Sequence, residues 1–288
     1  MAGFQVMMSD RTVRAADGYA LAARVFAADN ALGTVLIVPA MGIKQTFYAP
    51  FAQWLTARGF NVVTFDYRGM GLSRRGSLRG FRADVMDWAR LDSAAMVDTS
   101  GDLGPDLPLY WIGHSLGGQI FPFVPNRSRV AKVITIATGS GYWRENAPRL
   151  KRVVWWMWYV AAPVSLKLFG YFPGRRLRKI GDLPHGVMSQ WRRWCLDPEY
   201  VVGAEGAMAR EAFASVRQPL TALSFTDDEY MSERNTESLH GFYVNAPQSH
   251  KRFTPEELGA GRIGHFGFFR AASEIHLWQE HLLPELAA

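Results

Sequence analysis

Residues 108–118 read PLYWIGHSLGG, and Ser115 within that run decides how the rest of the chain is read. Tyr110, Trp111 and Ile112 are bulky apolar residues that favour a strand. Gly113-His114-Ser115-Leu116-Gly117 follows at once, ahead of Gly118-Gln119-Ile120-Phe121, which can open a helix. A serine with glycine two positions away on either side, between strand and helix, has the pattern of a nucleophile elbow. The requirement is steric. The turn holds its central residue in strained backbone geometry so that the hydroxyl stands clear of the sheet, and side chains two positions away would strike neighbouring backbone.

The sequence on either side alternates between strand and helix signals. Residues 6–13 and 21–26, separated by Asp17-Gly18, predict an antiparallel hairpin. Residues 34–38 (TVLIV), 61–65 (NVVTF), 132–137 (KVITIA) and 220–225 (LTALSF) are continuous apolar runs, as expected of strands buried on both faces. Helices are predicted over 46–58, 83–97, from the elbow through Phe123, over 233–243 and over 271–283. Residues 244–263, which include QSHKRF, read as a polar loop. The alternation predicts an α/β fold, a mostly parallel central sheet with helices on both faces. It breaks after Gly139, so residues 1–140 and 217–288 are expected to form the core domain and 141–216 an inserted aromatic, basic cap.

Composition fits a globular protein: 288 residues, 48% hydrophobic, with a net charge of +6. The single cysteine, Cys195, excludes an internal disulfide and reads as a buried inert thiol in a reducing compartment. The first residues lack a basic start and an apolar core, so no signal peptide and a cytoplasmic location are expected. No HExxH, paired cysteines or carboxylate cluster at ligand spacing points to a metal, and no cofactor is expected. The loop 69–76 lacks the Gly-Lys-Ser/Thr of a phosphate loop and reads as a structural turn.

The order of elements, the loop DYRGMGLS, the elbow GHSLGG, an acid at a late strand end and a late Gly-His together resemble the α/β-hydrolase superfamily of serine hydrolases. The chain is similar to a bacterial group of α/β hydrolases within it. That resemblance implies catalytic partners in the order Ser, acid, His. His265, in the run RIGHFGFF, has small residues and aromatic walls around it and is the favoured base; His250 is the competitor. No carboxylate follows KVITIA closely, whereas LTALSF is followed by Thr226-Asp227-Asp228-Glu229. The superfamily's spacing favours Asp228 over Asp227, although Phe225 stands where glycine is usual. The backbone N–H groups of Met41 and Leu116 are implied as the oxyanion hole, with Pro39-Ala40-Met41-Gly42 in place of the frequent His-Gly. A serine at the elbow excludes the dehalogenases and epoxide hydrolases of this fold, which attack with a carboxylate.

Between Tyr142 and Trp194 stand eleven basic residues against two acids, a local charge of +9 that leaves the remainder at −3. Three readings stay open: arginines snorkelling into water, an anionic substrate, or an acidic membrane surface. The run VVWWMWYV at 153–160 is too short to span a bilayer. It reads as a half-buried lid helix lining an acyl pocket, with peripheral membrane contact as the lesser reading. No nucleic-acid module is present. Few carboxylates in the cap argue against an aminopeptidase, which binds an ammonium. The expectation is a serine hydrolase cleaving a small-molecule ester or thioester, with an acyltransferase, or a non-catalytic ligand-binding or scaffold protein, as alternatives.

Overall fold

The computed structural model describes residues 7–177 and 180–286. Val6, at the start of the first expected strand, and two basic residues of the expected cap, Arg178 and Lys179, lie outside the described residues.

The hairpin is present as β1 (Met7–Arg14) and β2 (Ala20–Ala27), turned at Gly18 with φ +83°. The buried runs form β3 (Gly33–Val38), β4 (Phe60–Phe65), β5 (Leu109–His114), β6 (Lys132–Ile136) and β9 (Leu220–Phe225). A short pair, β7 (Tyr171–Phe172) and β8 (Leu183–Pro184), lies between β6 and β9 in the chain. With β10 (Gln248–Phe253), eight strands make one sheet in the order β1-β2-β4-β3-β5-β6-β9-β10. Pairing is antiparallel from β1 to β2 and from β2 to β4, and parallel elsewhere.

Alternation along β5 sends its side chains into two cores. Trp111 packs with Trp88 and Met96 of the helix 85–101 on one face of the sheet. Tyr110 and Ile112 join Phe51, Leu55, Phe268 and Trp278 on the other. Burial on both faces explains why these strands read as unbroken apolar runs.

Three expectations are revised. The helix 46–58 opens as a 3-10 turn at Gln45–Tyr48 and becomes α-helical only over Ala49–Thr56, with proline in its first turn. After the elbow, one helical turn (Leu116–Gln119) gives way to a 3-10 turn (Phe121–Phe123) containing Pro122. The stretch QSHKRF is no loop but the edge strand β10, pairing parallel with β9; an edge strand keeps polar side chains in water and so lacks the apolar signature.

Residues 141–216 leave the sheet after β6. They form one continuous helix, 148–169, with a π-helical turn at Met157–Ala161, ended by Gly170 at φ +73°. Helices His185–Leu196, Tyr200–Glu205 and Ala207–Ala214 follow. Trp158, Val187, Met188 and Trp194 from this segment are buried in the same core as Trp111. No helix among the described residues is long and apolar enough to cross a membrane.

Candidate active site

The parallel strands β3, β5 and β9 end on one edge of the sheet, and the loops after them bring together Met41, Ser115 and Asp228. Ligands of open α/β sheets bind at such strand ends. Ser115 follows β5 with φ +50° and ψ −111°, a conformation that L-residues rarely adopt. Its N–H donates to the Ile136 carbonyl at 2.9 Å, which fastens the turn to β6. The flanking glycines are required by close approach: a Cβ on Gly113 would lie 2.5 Å from the Gly117 carbonyl carbon, and one on Gly117 would lie 2.1 Å from the Val38 carbonyl oxygen.

His265 comes from the loop before the last helix. Its Nδ1 lies 2.9 Å from Asp228 Oδ2 and 3.1 Å from Oδ1. Asp228 is itself fixed, because its Oδ1 accepts the N–H groups of Tyr230 (2.8 Å) and Met231 (2.9 Å). The neighbouring Asp227 turns the other way and accepts the N–H groups of Ile263 (2.9 Å) and Gly264 (3.0 Å). Glu229 accepts the N–H of His265 at 3.1 Å. Three successive carboxylates therefore hold the histidine loop: Asp228 on the His265 ring, Glu229 on its backbone N–H, and Asp227 on the two amides before it. The structure contains no hydrogen bond between Ser115 and His265; active-site contacts of unliganded enzymes often tighten only when substrate binds.

His114, beside the serine, is fully buried between two partners. Tyr48 Oη lies 2.9 Å from its Nδ1, and the His265 carbonyl lies 3.0 Å from its Nε2. Tyr48 Oη also accepts the Ala40 N–H at 2.9 Å. Burial, reinforced by His265, holds the His114 pKa well below the usual histidine range, so its ring is neutral. This chain of bonds ties the loop after β3 to the elbow and to the His265 loop. Nothing in the sequence pointed to Tyr48.

The N–H groups of Met41 and Leu116 have no hydrogen-bond partner among the described residues, and Leu116 opens the helical turn after the serine. Both residues line a cavity of about 140 Å³ together with Ser115. Its other walls include Val154, Met157, Trp158, Trp191 and the buried Cys195, and no lining residue carries a charge. Burial pushes the Cys195 thiol pKa up, so it stays protonated. A second groove of about 330 Å³, lined by Trp156, Ala161, Phe172 and Leu177, shares Val153 and Met157 with the first.

The remaining histidines sit elsewhere. His250 is an exposed residue of β10 bonded to Gln248. His240 is buried between Thr135 and the Thr236 carbonyl, and His185 opens the helix His185–Leu196. His276 and His281 lie in the C-terminal helical segment Glu274–Leu282. No cluster of potential metal ligands occurs among the described residues.

Comparison with known proteins agrees with this architecture. Over 119 residues the chain is 30% identical to the uncharacterized protein YfhR of Escherichia coli O157:H7, a stretch amounting to 40% of each protein. The chain thus matches less than half the length of this curated relative. Among solved structures it resembles the Pyrococcus furiosus esterase PF2001 (TM-score 0.62, 15% identity, covering 99% of this chain and 94% of that one). It also resembles the hypothetical protein PA2218 of Pseudomonas aeruginosa (TM-score 0.64, 14% identity, 100% and 95% covered). At such identities these likenesses establish the fold. Residues 29–179, just over half of the chain, match the family described as serine aminopeptidase, S33. The chain belongs to that family and has the α/β-hydrolase fold.

Proposed function

We propose that the protein cleaves a carboxylic ester or thioester with an apolar acyl group, through an acyl-enzyme on Ser115. The observation that carries this reading is the strained Ser115 turn opening on an uncharged cavity, with the paired His265 and Asp228 held next to it through the bond from His114 to the His265 carbonyl. Ser115 Oγ attacks the carbonyl carbon while its proton passes to His265 Nε2, and Asp228 holds Nδ1–H so that Nε2 is free to accept it. The Met41 and Leu116 N–H groups stabilise the oxyanion, a contribution worth roughly 3 to 4 kcal/mol per donor in acyl-transfer enzymes. Collapse expels the alcohol or thiol, which takes the proton from His265. Water, deprotonated by the same ring, then releases the acid and restores Ser115.

An ester is favoured over a peptide N-terminus because no carboxylate lines the cavity to pair with a substrate ammonium. In this reading residues 1–140 and 217–288 are the catalytic core and 141–216 a cap, which supplies ten of the sixteen cavity-lining residues. The reading includes a cytoplasmic location, supported by the single, buried thiol.

The test is turnover of short acyl esters with and without added alcohols. Wild type should release free acid, and Ser115→Ala should abolish turnover with its thermal transition intact. Preferential formation of new esters from the alcohol would make the protein an acyltransferase. Undiminished turnover by Ser115→Ala would refute the assignment, and no turnover by wild type would favour a binding role.

A further inference from the structure

The helix 148–169 is apolar on two sides. Its inner stripe (Val154, Trp158, Ala161, Ala162, Leu166) is buried against the body of the protein. Its outer stripe is left uncovered by the described residues: Trp155, Trp156, Tyr159, Val164 and Leu168 are 45–60% exposed. Trp156, Val160, Val164 and Leu168 recur at every fourth residue, with Trp155 and Tyr159 beside the first turn of that series, along a helix of 22 residues, about 33 Å long. Scattered exposed apolar residues are ordinary, but a continuous stripe rich in tryptophan and tyrosine marks an interaction surface.

Charge identifies the occupant. Residues 146–181 contain eight basic residues and not one aspartate or glutamate. Arg149, Arg152, Lys167 and Arg176 are exposed, and none forms an ion pair with a described carboxylate. A second copy of the chain packed on this face would bring like charges together with no acid to pair with them. An anionic lipid surface meets both halves of the pattern, since tryptophan and tyrosine settle at the headgroup level and lysine and arginine pair with lipid phosphates.

The outer stripe also borders the groove beside the site. Val153, Trp156 and Leu177 are exposed and also wall the 330 Å³ groove, which shares Val153 and Met157 with the cavity at Ser115. The groove on the outer face of the helix and the cavity at Ser115 thus lie next to each other, with Val153 and Met157 between them.

We propose that the outer face of helix 148–169 docks on an anionic bilayer, and that the groove beside it admits a lipid acyl chain from that bilayer to Ser115. The acyl-chain half rests on the ester-hydrolase reading given above; the docking half does not.

The experiment uses the full chain and extruded vesicles of phosphatidylcholine, alone or with roughly one third phosphatidylglycerol. Co-sedimentation should show partitioning onto the anionic vesicles at least ~10-fold stronger than onto the neutral ones, weakened by salt. Ser115→Ala should bind as wild type does, which separates docking from catalysis. The triple variant Trp155→Ser, Val164→Ser, Leu168→Ser avoids the groove and cavity walls. It should lose ~10-fold in partitioning and in turnover of a vesicle-embedded long-chain ester, while soluble short-chain ester turnover stays unchanged. Arg149→Gln, Arg152→Gln, Lys167→Gln should erase the preference for anionic vesicles. Equal or absent binding to both vesicle types overturns the docking proposal. So does a dimer in sedimentation velocity that the apolar triple variant dissolves, which would place a second copy on this face. Equal turnover of the embedded ester by wild type and the apolar variant overturns the acyl-chain path.

Discussion

Tyr48→Phe removes a single oxygen from the core and keeps the ring that packs edge-on against Phe269, with ring centroids 4.9 Å apart. That oxygen has two partners. It accepts the Ala40 N–H at 2.9 Å and, donating its own proton, satisfies His114 Nδ1 at 2.9 Å. Both partners are buried, so the substitution orphans two polar groups at once. Each such group costs ~1–3 kcal/mol, which gives a loss of about 2–6 kcal/mol. In a chain of 288 residues that corresponds to a fall in Tm of about 4 °C or more. Activity should fall as well. Ala40 precedes Met41, and His114 Nε2–H holds the His265 carbonyl at 3.0 Å, so both sides of the site loosen and kcat should drop by ~10-fold or more. Urea denaturation and steady-state kinetics on the purified variant measure the two effects. Tyr200→Phe removes the donor to the Gln119 side-chain oxygen, 2.8 Å away, and should cost about half as much stability. The Tyr48→Phe, His114→Leu double variant should fall short of the summed single losses by ~1 kcal/mol or more. A loss under ~1 kcal/mol for Tyr48→Phe with unchanged kcat would refute the reasoning, because the bonded chain would then be incidental.

Asp228→Asn should lower kcat by ~10³–10⁴-fold, the scale seen for the acid of serine-protease triads. The asparagine oxygen would keep the Tyr230 and Met231 N–H bonds, which turns its amide toward His265 Nδ1 and locks the wrong tautomer. Asp227→Asn loosens only the turn at Ile263 and Gly264 and should cost ~10-fold or less in kcat; the reverse order would exchange the two roles. At Glu285, burial raises the carboxyl pKa, but hydrogen bonds from Lys251, Lys132 and Thr221 outweigh it and bring the pKa down to about 2. A folded-state pKa below the unfolded one gives stability that is fully present above pH ~4.5 and is lost as pH falls toward 2. Glu285→Gln should therefore flatten Tm against pH between those limits, and an unchanged acid limb would show that the carboxylate contributes nothing there.

The parts of the fold legible in the sequence are those in which burial acts on side chains. β3, β4, β5, β6 and β9 lie inside the sheet with both faces covered, and each is an unbroken apolar run. β10 carries no apolar signature because an edge strand is specified by backbone pairing with β9 and leaves Gln248, Ser249 and His250 in water. At the site, glycine spacing exposed the elbow, because glycine is the only residue whose atoms fit against Val38 and Gly117 there. Asp227 and Asp228 were not separable by composition. What divides them is the direction in which the backbone turns each side chain, one to the ring of His265 and the other to the amides before it. The Tyr48–His114–His265 chain joins residues 66 and 151 positions apart, and no local pattern encodes such contacts. Cys195 read as a buried thiol and is one, yet helix packing sets it in the cavity wall beside Ser115. The tryptophan-rich run reads as a half-buried helix, and its outer apolar stripe continues past that run to Val164 and Leu168, where no tryptophan marks it.

The central claim is that Ser115 is a nucleophile activated by His265. Brief treatment of the native protein with a fluorophosphonate, followed by proteolysis and mass mapping, tests it directly. One phosphonyl group should appear, on the peptide carrying Gly113-His114-Ser115-Leu116-Gly117 and on Ser115 itself, with labelling abolished in Ser115→Ala and strongly slowed in His265→Ala. An unlabelled native protein, or a label on any other residue that survives Ser115→Ala, would contradict the account.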